Sequence, residues 1–321
     1  VVLAELQRSP FLDDLTPDDR RPVRVLLTLP IGLLAAFLAA VICGVVVFGA
    51  FAIGGGGIEA AERLMEPVGQ GATPVGLTQI SFVLSLLATI NGGMFLAFTG
   101  VAAVLHHRKL RSYFTAAPRF RWGLMLLGLG LFVALIGPLL LVSAALDPKT
   151  PTAPILTISP DLAQRLIYAV VVTVLLLVAA AAEELVFRGW LMKVTGAFVR
   201  DPRAVLVISG LLFSAIHLDP NLDAFLVRLA MGIGLAWMTL RLGGIEFAIG
   251  AHAANNILIL LFVQPMSLKP EPPHAFPLEI LVVAPLMLAG YVAMAELAAR
   301  WAPLRRWVRI PVRKDPLAAF D

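Results

Sequence analysis

The 321-residue chain reads as an all-α, polytopic membrane protein with about eight transmembrane helices. Two observations predict this. Charged residues make up only 14% of the chain and hydrophobic residues 59%, with a mean hydropathy of +0.89, whereas soluble domains carry about a quarter charged residues. Apolar runs of about 20 residues also recur, which is the helical length needed to cross about 30 Å of hydrocarbon. The alternating pattern of an outer-membrane barrel is absent. The single cysteine, Cys43, excludes a disulfide framework and a cysteine metal cluster. The first 22 residues are polar and mixed in charge, and the run after them is too long for a signal-peptide core, so no cleavable signal is expected.

Residues 1–22 read as a polar tail with Asp13, Asp14, Asp18 and Asp19 solvated. Span one covers about Val23 to Ile53 and stops at four glycines, Gly54 to Gly57. An acidic segment with Glu59, Glu62 and Glu66 follows. Span two, Leu77 to Leu105, ends in His106, His107, Arg108, Lys109 and Arg111, read as a lipid-facing juxtamembrane cluster. Span three, Trp122 to Leu146, carries Pro138 as an expected kink. Span four starts near Asp161, with scope to continue to Val199. Span five is Ala204 to His217, span six Asp223 to Leu240, span seven Ile245 to Val263, and span eight Leu278 to Ala299. The tail mixes Trp301 and Trp307 with Arg305, Arg306 and Arg309, as in a segment lying at the lipid–water interface. The expected organisation is one transmembrane domain over residues 23–299. Its motif-bearing core is 161–263 (spans four to seven), with a cytoplasmic polar tail at 1–22 and a basic tail at 300–321.

Basic clusters at residues 20–24, 106–121, 193–203 and 300–314 fall on one side of an eight-span count, and mostly acidic loops fall on the other. The positive-inside rule therefore places both termini in the cytoplasm.

The centre of the chain is Glu183-Glu184-Leu185-Val186-Phe187-Arg188, which follows seventeen residues, 166–182, without a charge. An ionisable residue inside a span costs about 2.5–3.5 kcal/mol on insertion scales, so such residues usually face protein and serve a purpose. Glu184 and Arg188, four apart on one helix face, are expected to pair. Glu183 points about 100° away and has no sequence-local partner, which makes it the candidate chemical carboxylate. His217 in span five lies at a similar depth: counted from the Asp201-Pro202 turn, their heights differ by about 5 Å. Phe213, one turn from His217, is placed to pack on its imidazole. In span seven His252 and Asn256 share a helix face, and Gly232, Gly234 and Ala236 give span six a face that permits close helix approach.

Taken singly, each of these histidines could be no more than an interhelical hydrogen bond, and Asn256 no more than glue between helices. Together they support hydrolysis. A carboxylate and an imidazole at one depth can activate water, and His252 with Asn256 can donate to a developing oxyanion. Glu183, His217 and His252 also form a possible two-His, one-carboxylate set for zinc or another divalent metal, so metal-dependent and metal-free chemistry both stay open. No HExxH, no Gly-x-Gly followed by Asp and no Gly-x-Ser-x-Gly occurs, which argues against the zinc-helix, aspartyl and serine types of intramembrane hydrolase.

Glu183-Glu184-x-x-x-Arg188, Phe213-x-x-x-His217 and His252-x-x-x-Asn256, in this order and each in its own span, resemble the three motifs of the CPBP family. These are the CAAX-protease and bacteriocin-processing (Abi) intramembrane proteases, to which the type II CAAX prenyl endopeptidase belongs. The resemblance covers about residues 165–263. It implies an eight-helix membrane protease in which Glu183 and His217 activate water and His252 and Asn256 serve the oxyanion or a metal, with Glu184, Arg188 and Phe213 in support. The expected partners are a membrane-associated or lipid-modified peptide or protein as substrate and the lipid bilayer, with no nucleic acid; the family's own substrate does not carry over. The expected location is the bacterial inner (plasma) membrane. The rival reading is a non-catalytic adaptor or transporter retaining the protease fold. Transport would need a continuous polar path, and spans one to three offer almost no ionisable residue at membrane depth.

Overall fold

Thirty-four residues from Pro22 to Gly55 form the first helix, α1, of a structure obtained as a computed structural model that describes residues 6, 9–269 and 271–308, with Pro67 described by its backbone alone. An amphipathic helix α2 (Ile58–Gln70) leads to α3 (Gly76–Leu105). The third span is α4 (Trp122–Leu135) and α5 (Gly137–Leu146), interrupted at Ile136 where Pro138 enters the first turn of α5. This is the expected break, since proline lacks the N–H that would continue the helix. α6 (Leu162–Glu184) continues through a π-helical segment, Leu185–Leu191, into α7 (Met192–Phe198). α8 (Pro202–Ala215), α9 (Leu222–Leu242), α10 (Glu246–Leu258) with a second π-helical segment Ile259–Val263, α11 (Ile280–Arg300) and α12 (Ala302–Val308) complete the order.

The boundaries have local causes. Asp161 caps α6 by accepting from Ala163 N at 3.2 Å, and Asp201 caps α8 by accepting from Arg203 N at 2.9 Å, with Pro202 in its first turn. Gly243, at φ 71°, ends α9 in the left-handed conformation that glycine adopts without penalty. No β-strand occurs among the described residues; Thr115 and Gly244 form an isolated antiparallel bridge.

Among the described residues seven helices are long and apolar enough to cross a membrane: Pro22–Gly55, Gly76–Leu105, Trp122–Leu146, Leu162–Phe198, Leu222–Leu242, Glu246–Val263 and Ile280–Arg300. The expected fifth span is present as α8, but with 14 residues it reaches about 21 Å and is too short to span by itself. Large apolar side chains such as Leu26, Phe37, Val45 and Leu139 are exposed on outward faces, as lipid-facing positions require. This is an integral, multi-pass membrane protein.

Burial places α10 at the centre: every residue from Glu246 to Ala254 is buried, whereas α1 buries Thr28, Gly32, Ala36 and Val47. α10 crosses α4 backbone to backbone. A Cβ on Gly250 would overlap the Met125 carbonyl oxygen, and one on Gly128 the Phe247 carbonyl oxygen. α8 and α9 meet at a similar contact, where a Cβ on Gly232 would stand 2.8 Å from Gly210 Cα. The expected small-residue face of α9 therefore does admit span five. Its other side, at Gly234, receives Tyr291 of α11.

The loops between Leu105 and Trp122 and between α9 and α10, together with α7, α12 and the N-terminal segment, gather at one end of the bundle. Two expectations fail there. The N-terminal acids are not all solvated: Asp19 is 2% exposed and pairs with Arg108 at 2.5 Å and His106 at 3.4 Å. Asp14 bridges Arg108 at 2.5 Å and Lys193 at 2.6 Å. His106 is not lipid-facing but buried against Asp19. The physical reason is that the tail folds back over the bundle. Phe11 is fully buried, and Ser9 Oγ donates to the Leu240 carbonyl at 2.6 Å. Residues 309–321 of the expected basic tail lie outside the described residues.

Candidate active site

A charge buried in hydrocarbon persists only with a partner, and Glu184 has two. Its Oε1 accepts from Arg188 Nη1 at 3.0 Å and lies 2.8 Å from His252 Nδ1. Glu184 and Arg188 are both fully buried. The second arm of the guanidinium donates to the Gly232 carbonyl at 3.2 Å, and its plane stands 4.2 Å over the Phe213 ring. The expected Glu184–Arg188 pair is therefore present, and it ties α6 to α8, α9 and α10. The contact of Glu184 with His252 carries no sequence signal, because the two are 68 positions apart on different helices.

Glu183, turned away from this lock by the helical step, is 22% exposed. Its Oε2 stands 3.8 Å from His252 Nε2, beyond direct hydrogen bonding. His252 thus lies between two carboxylates, bonded to one and facing the other. His217 is close enough to both Glu183 and His252 to feel their charge. Its Nδ1 lies 2.8 Å from the Phe213 carbonyl. A carbonyl only accepts, so Nδ1 carries the proton and Nε2 is left for chemistry. The Phe213 ring packs edge-on to both imidazoles, 5.0 Å from His217 and 5.8 Å from His252, which fixes their rotamers. Glu183 of α6, His252 of α10 and His217, two residues past the end of α8, are brought into one neighbourhood.

Asn256 is carried on the same helix as His252. It lies one turn beyond His252, and its Oδ1 accepts from Asn255 at 3.1 Å. Among the described residues no group of three His, Cys, Asp or Glu side chains is arranged to hold a metal ion. Within the expected trio, His252 Nδ1 is engaged by Glu184 and His217 Nδ1 by the Phe213 carbonyl.

Three features have no counterpart in the motif reading. The π-helical segments begin at Leu185, directly after the acid pair, and at Ile259, three residues after Asn256. Such bulges shift side-chain register and recur at functional sites. Tyr291 of α11, fully buried against Phe132 at 5.7 Å, lies within electrostatic reach of Glu184 and Arg188. Arg228 of α9, paired with Asp219 at 2.9 Å, stands within electrostatic reach of His217. A π-bulge depends on packing rather than residue type, and neither Tyr291 nor Arg228 has a local spacing that would announce it.

Comparison with known proteins picks out the same stretch of the chain. Residues 165–258 match the family model described as type II CAAX prenyl endopeptidase Rce1-like. This stretch runs from the start of α6 to the end of α10 and contains all three motifs. YyaK of Bacillus subtilis (strain 168), described as an uncharacterized protein, is 35% identical over 88 residues, which is 26% of this chain and 29% of that protein. The match thus covers under a third of the relative's length. No solved structure matches the chain.

Proposed function

We propose that this protein is an intramembrane endopeptidase of the CAAX-protease type, hydrolysing a peptide bond of a membrane-associated or lipid-modified protein through water activated by Glu183 and His217. The observation that carries the reading is His252, bonded at 2.8 Å to the buried Glu184 and presented at 3.8 Å to the half-open Glu183. Glu183 is the general base, since it is the one carboxylate of the pair with exposure and no ion-pair partner on its own helix. His217, with Nδ1 held by a carbonyl, offers Nε2 to share the water's proton. Glu184 holds His252 with its Nδ1–H inward, so that Nε2, when protonated, donates to the oxyanion that forms on the scissile carbonyl. Asn256 would join that oxyanion site once substrate is bound. The match to an Rce1-like family model over this segment supports the reaction class.

We further infer that both termini lie in the cytoplasm of a bacterial inner membrane, because the loops gathered at the N-terminal end carry the basic clusters. The test is a comparison of membrane proteomes from cells expressing the wild-type chain and Glu183→Ala. An uncleaved membrane-associated protein that accumulates only with the variant is expected. Identical proteomes, with both chains folded and equally abundant, would remove the protease reading in favour of an adaptor.

A further inference from the structure

At the basic end of the bundle, the connector ahead of α4 and the helix α12 enclose a cavity of about 880 Å³ lined by Arg119, Phe120, Arg121, Gly123, Arg306 and Trp307 among others. This is within the size range of small-molecule pockets, about 300–1,000 Å³. Its three arginines are not equivalent. Arg121 is committed: it donates to Glu246 at 2.9 and 2.7 Å, to the Leu242 carbonyl at 2.8 Å and to the Val308 carbonyl at 2.6 Å, and Glu246 neutralises it. Arg119 and Arg306 are exposed, and no carboxylate pairs with either among the described residues. The Arg306 guanidinium lies 5.6 Å from the Trp307 ring instead.

Two uncompensated guanidiniums thus flank a concavity beside Trp122 and Trp307, residue types that settle at the lipid–water boundary. Just below, the face of α4 turns apolar. Trp122 is 66% exposed, and Leu126, one turn further on, is 60% exposed. Positive charge and an outward apolar helix face therefore meet at one opening.

We propose that this cavity binds the phosphate-bearing headgroup of an anionic phospholipid, with Arg119 and Arg306 on the phosphate and the acyl chains running down the Trp122–Leu126 face of α4. Planar guanidiniums suit phosphate oxygens. A free phosphate would satisfy the arginines but leave the apolar face below the cavity without a role, so the lipid is the source assigned.

The test titrates the full chain in detergent with phosphatidylglycerol or phosphatidylcholine and counts retained lipids by native mass spectrometry. The wild type is expected to retain phosphatidylglycerol preferentially. Arg119→Ala/Arg306→Ala should weaken that retention by about tenfold to thirtyfold, from about 1 kcal/mol for each arginine. Arg20→Ala/Arg203→Ala, which removes two exposed charges outside the cavity, should leave it unchanged. Undiminished binding by the cavity variant overturns the site. So does an equal loss in the control pair, which would mean a diffuse basic surface. Displacement of the lipid by millimolar inorganic phosphate would reassign the arginines to a free anion. Should the alanine pair unfold, Arg119→Gln/Arg306→Gln gives the same reading.

Discussion

Glu184, Arg188 and His252 within the bundle, and Asp19, Arg108 and Lys193 with the exposed Asp14 at the N-terminal segment, are two groups of charge drawn together by the fold. The second group is closed: each acid meets a base, and the cluster fastens residues 9–20 across the ends of α3 and α7. The first group is open on one side. Its imidazole is bonded inward to Glu184 and faces outward to Glu183, which no base on its own helix neutralises. Burial of charge alone therefore does not identify a site here. The proposed site rests instead on a partly exposed carboxylate at the edge of a locked pair.

The comparison breaks most sharply at Glu183. Glu183→Gln should lower cleavage by about 10²- to 10⁴-fold, the usual contribution of a positioned general base, with an unchanged unfolding temperature in detergent. Retained cleavage would move the base elsewhere. Arg188→Met should act in the opposite way, on the fold, because it strands the buried Glu184. A loss of about 3–5 kcal/mol is expected, read as a lowered unfolding temperature. Adding Glu184→Gln should restore part of that stability but not activity, since His252 then loses the carboxylate that orients it.

The N-terminal cluster should respond in stability only. Burial by itself would raise the Asp19 pKa, but hydrogen bonds from His106 and Thr16 and the charge of Arg108 outweigh it and hold the carboxyl at about 2, below its ordinary 3.8. A depressed carboxylate pKa stabilises the folded state above the unfolded value, and that contribution is lost as pH falls through the folded one. Asp19→Asn should thus cost on the order of 2 kcal/mol at neutral pH. The gap to the wild type should hold down to pH 3.8 and close towards pH 2. Unfolding measured across that range checks it, and cleavage per folded molecule should not change. The smallest effect is expected at the rim of the same cluster. Arg21 meets Asp18 at 3.4 Å with 64% exposure, and Arg21→Ala should shift stability by less than about 0.5 kcal/mol.

How much was legible follows from which signals are local. The Glu184–Arg188 pair is a four-residue spacing on one helix, and the structure has it. The Phe213–His217 stack is another, and the break at Pro138 needs only the missing N–H of proline. The 14-residue α8 was harder. Apolar composition ran on to His217, whereas the regular helix ends at Ala215 and Leu218 turns to φ 49°. The solvated reading of Asp19 and the lipid-facing reading of His106 were wrong for one shared reason. Each is polar and lies next to a span, and each is buried against the other, with Arg108 also on Asp19. Sequence composition cannot register a partner 87 positions away.

The sequence by itself determined that the chain is helical and membrane-embedded, and which of its residues are out of place in lipid. Those properties follow from hydropathy and from 3.6-residue periodicity, which each segment carries alone. Tertiary structure decided which of those residues meet. It set His252 against Glu184 and folded the acidic N-terminal segment onto Arg108 and Lys193. The physical reason is that helices in lipid associate through close packing and polar pairing between distant segments, and glycine contacts such as Gly250 on Met125 set where one helix crosses another.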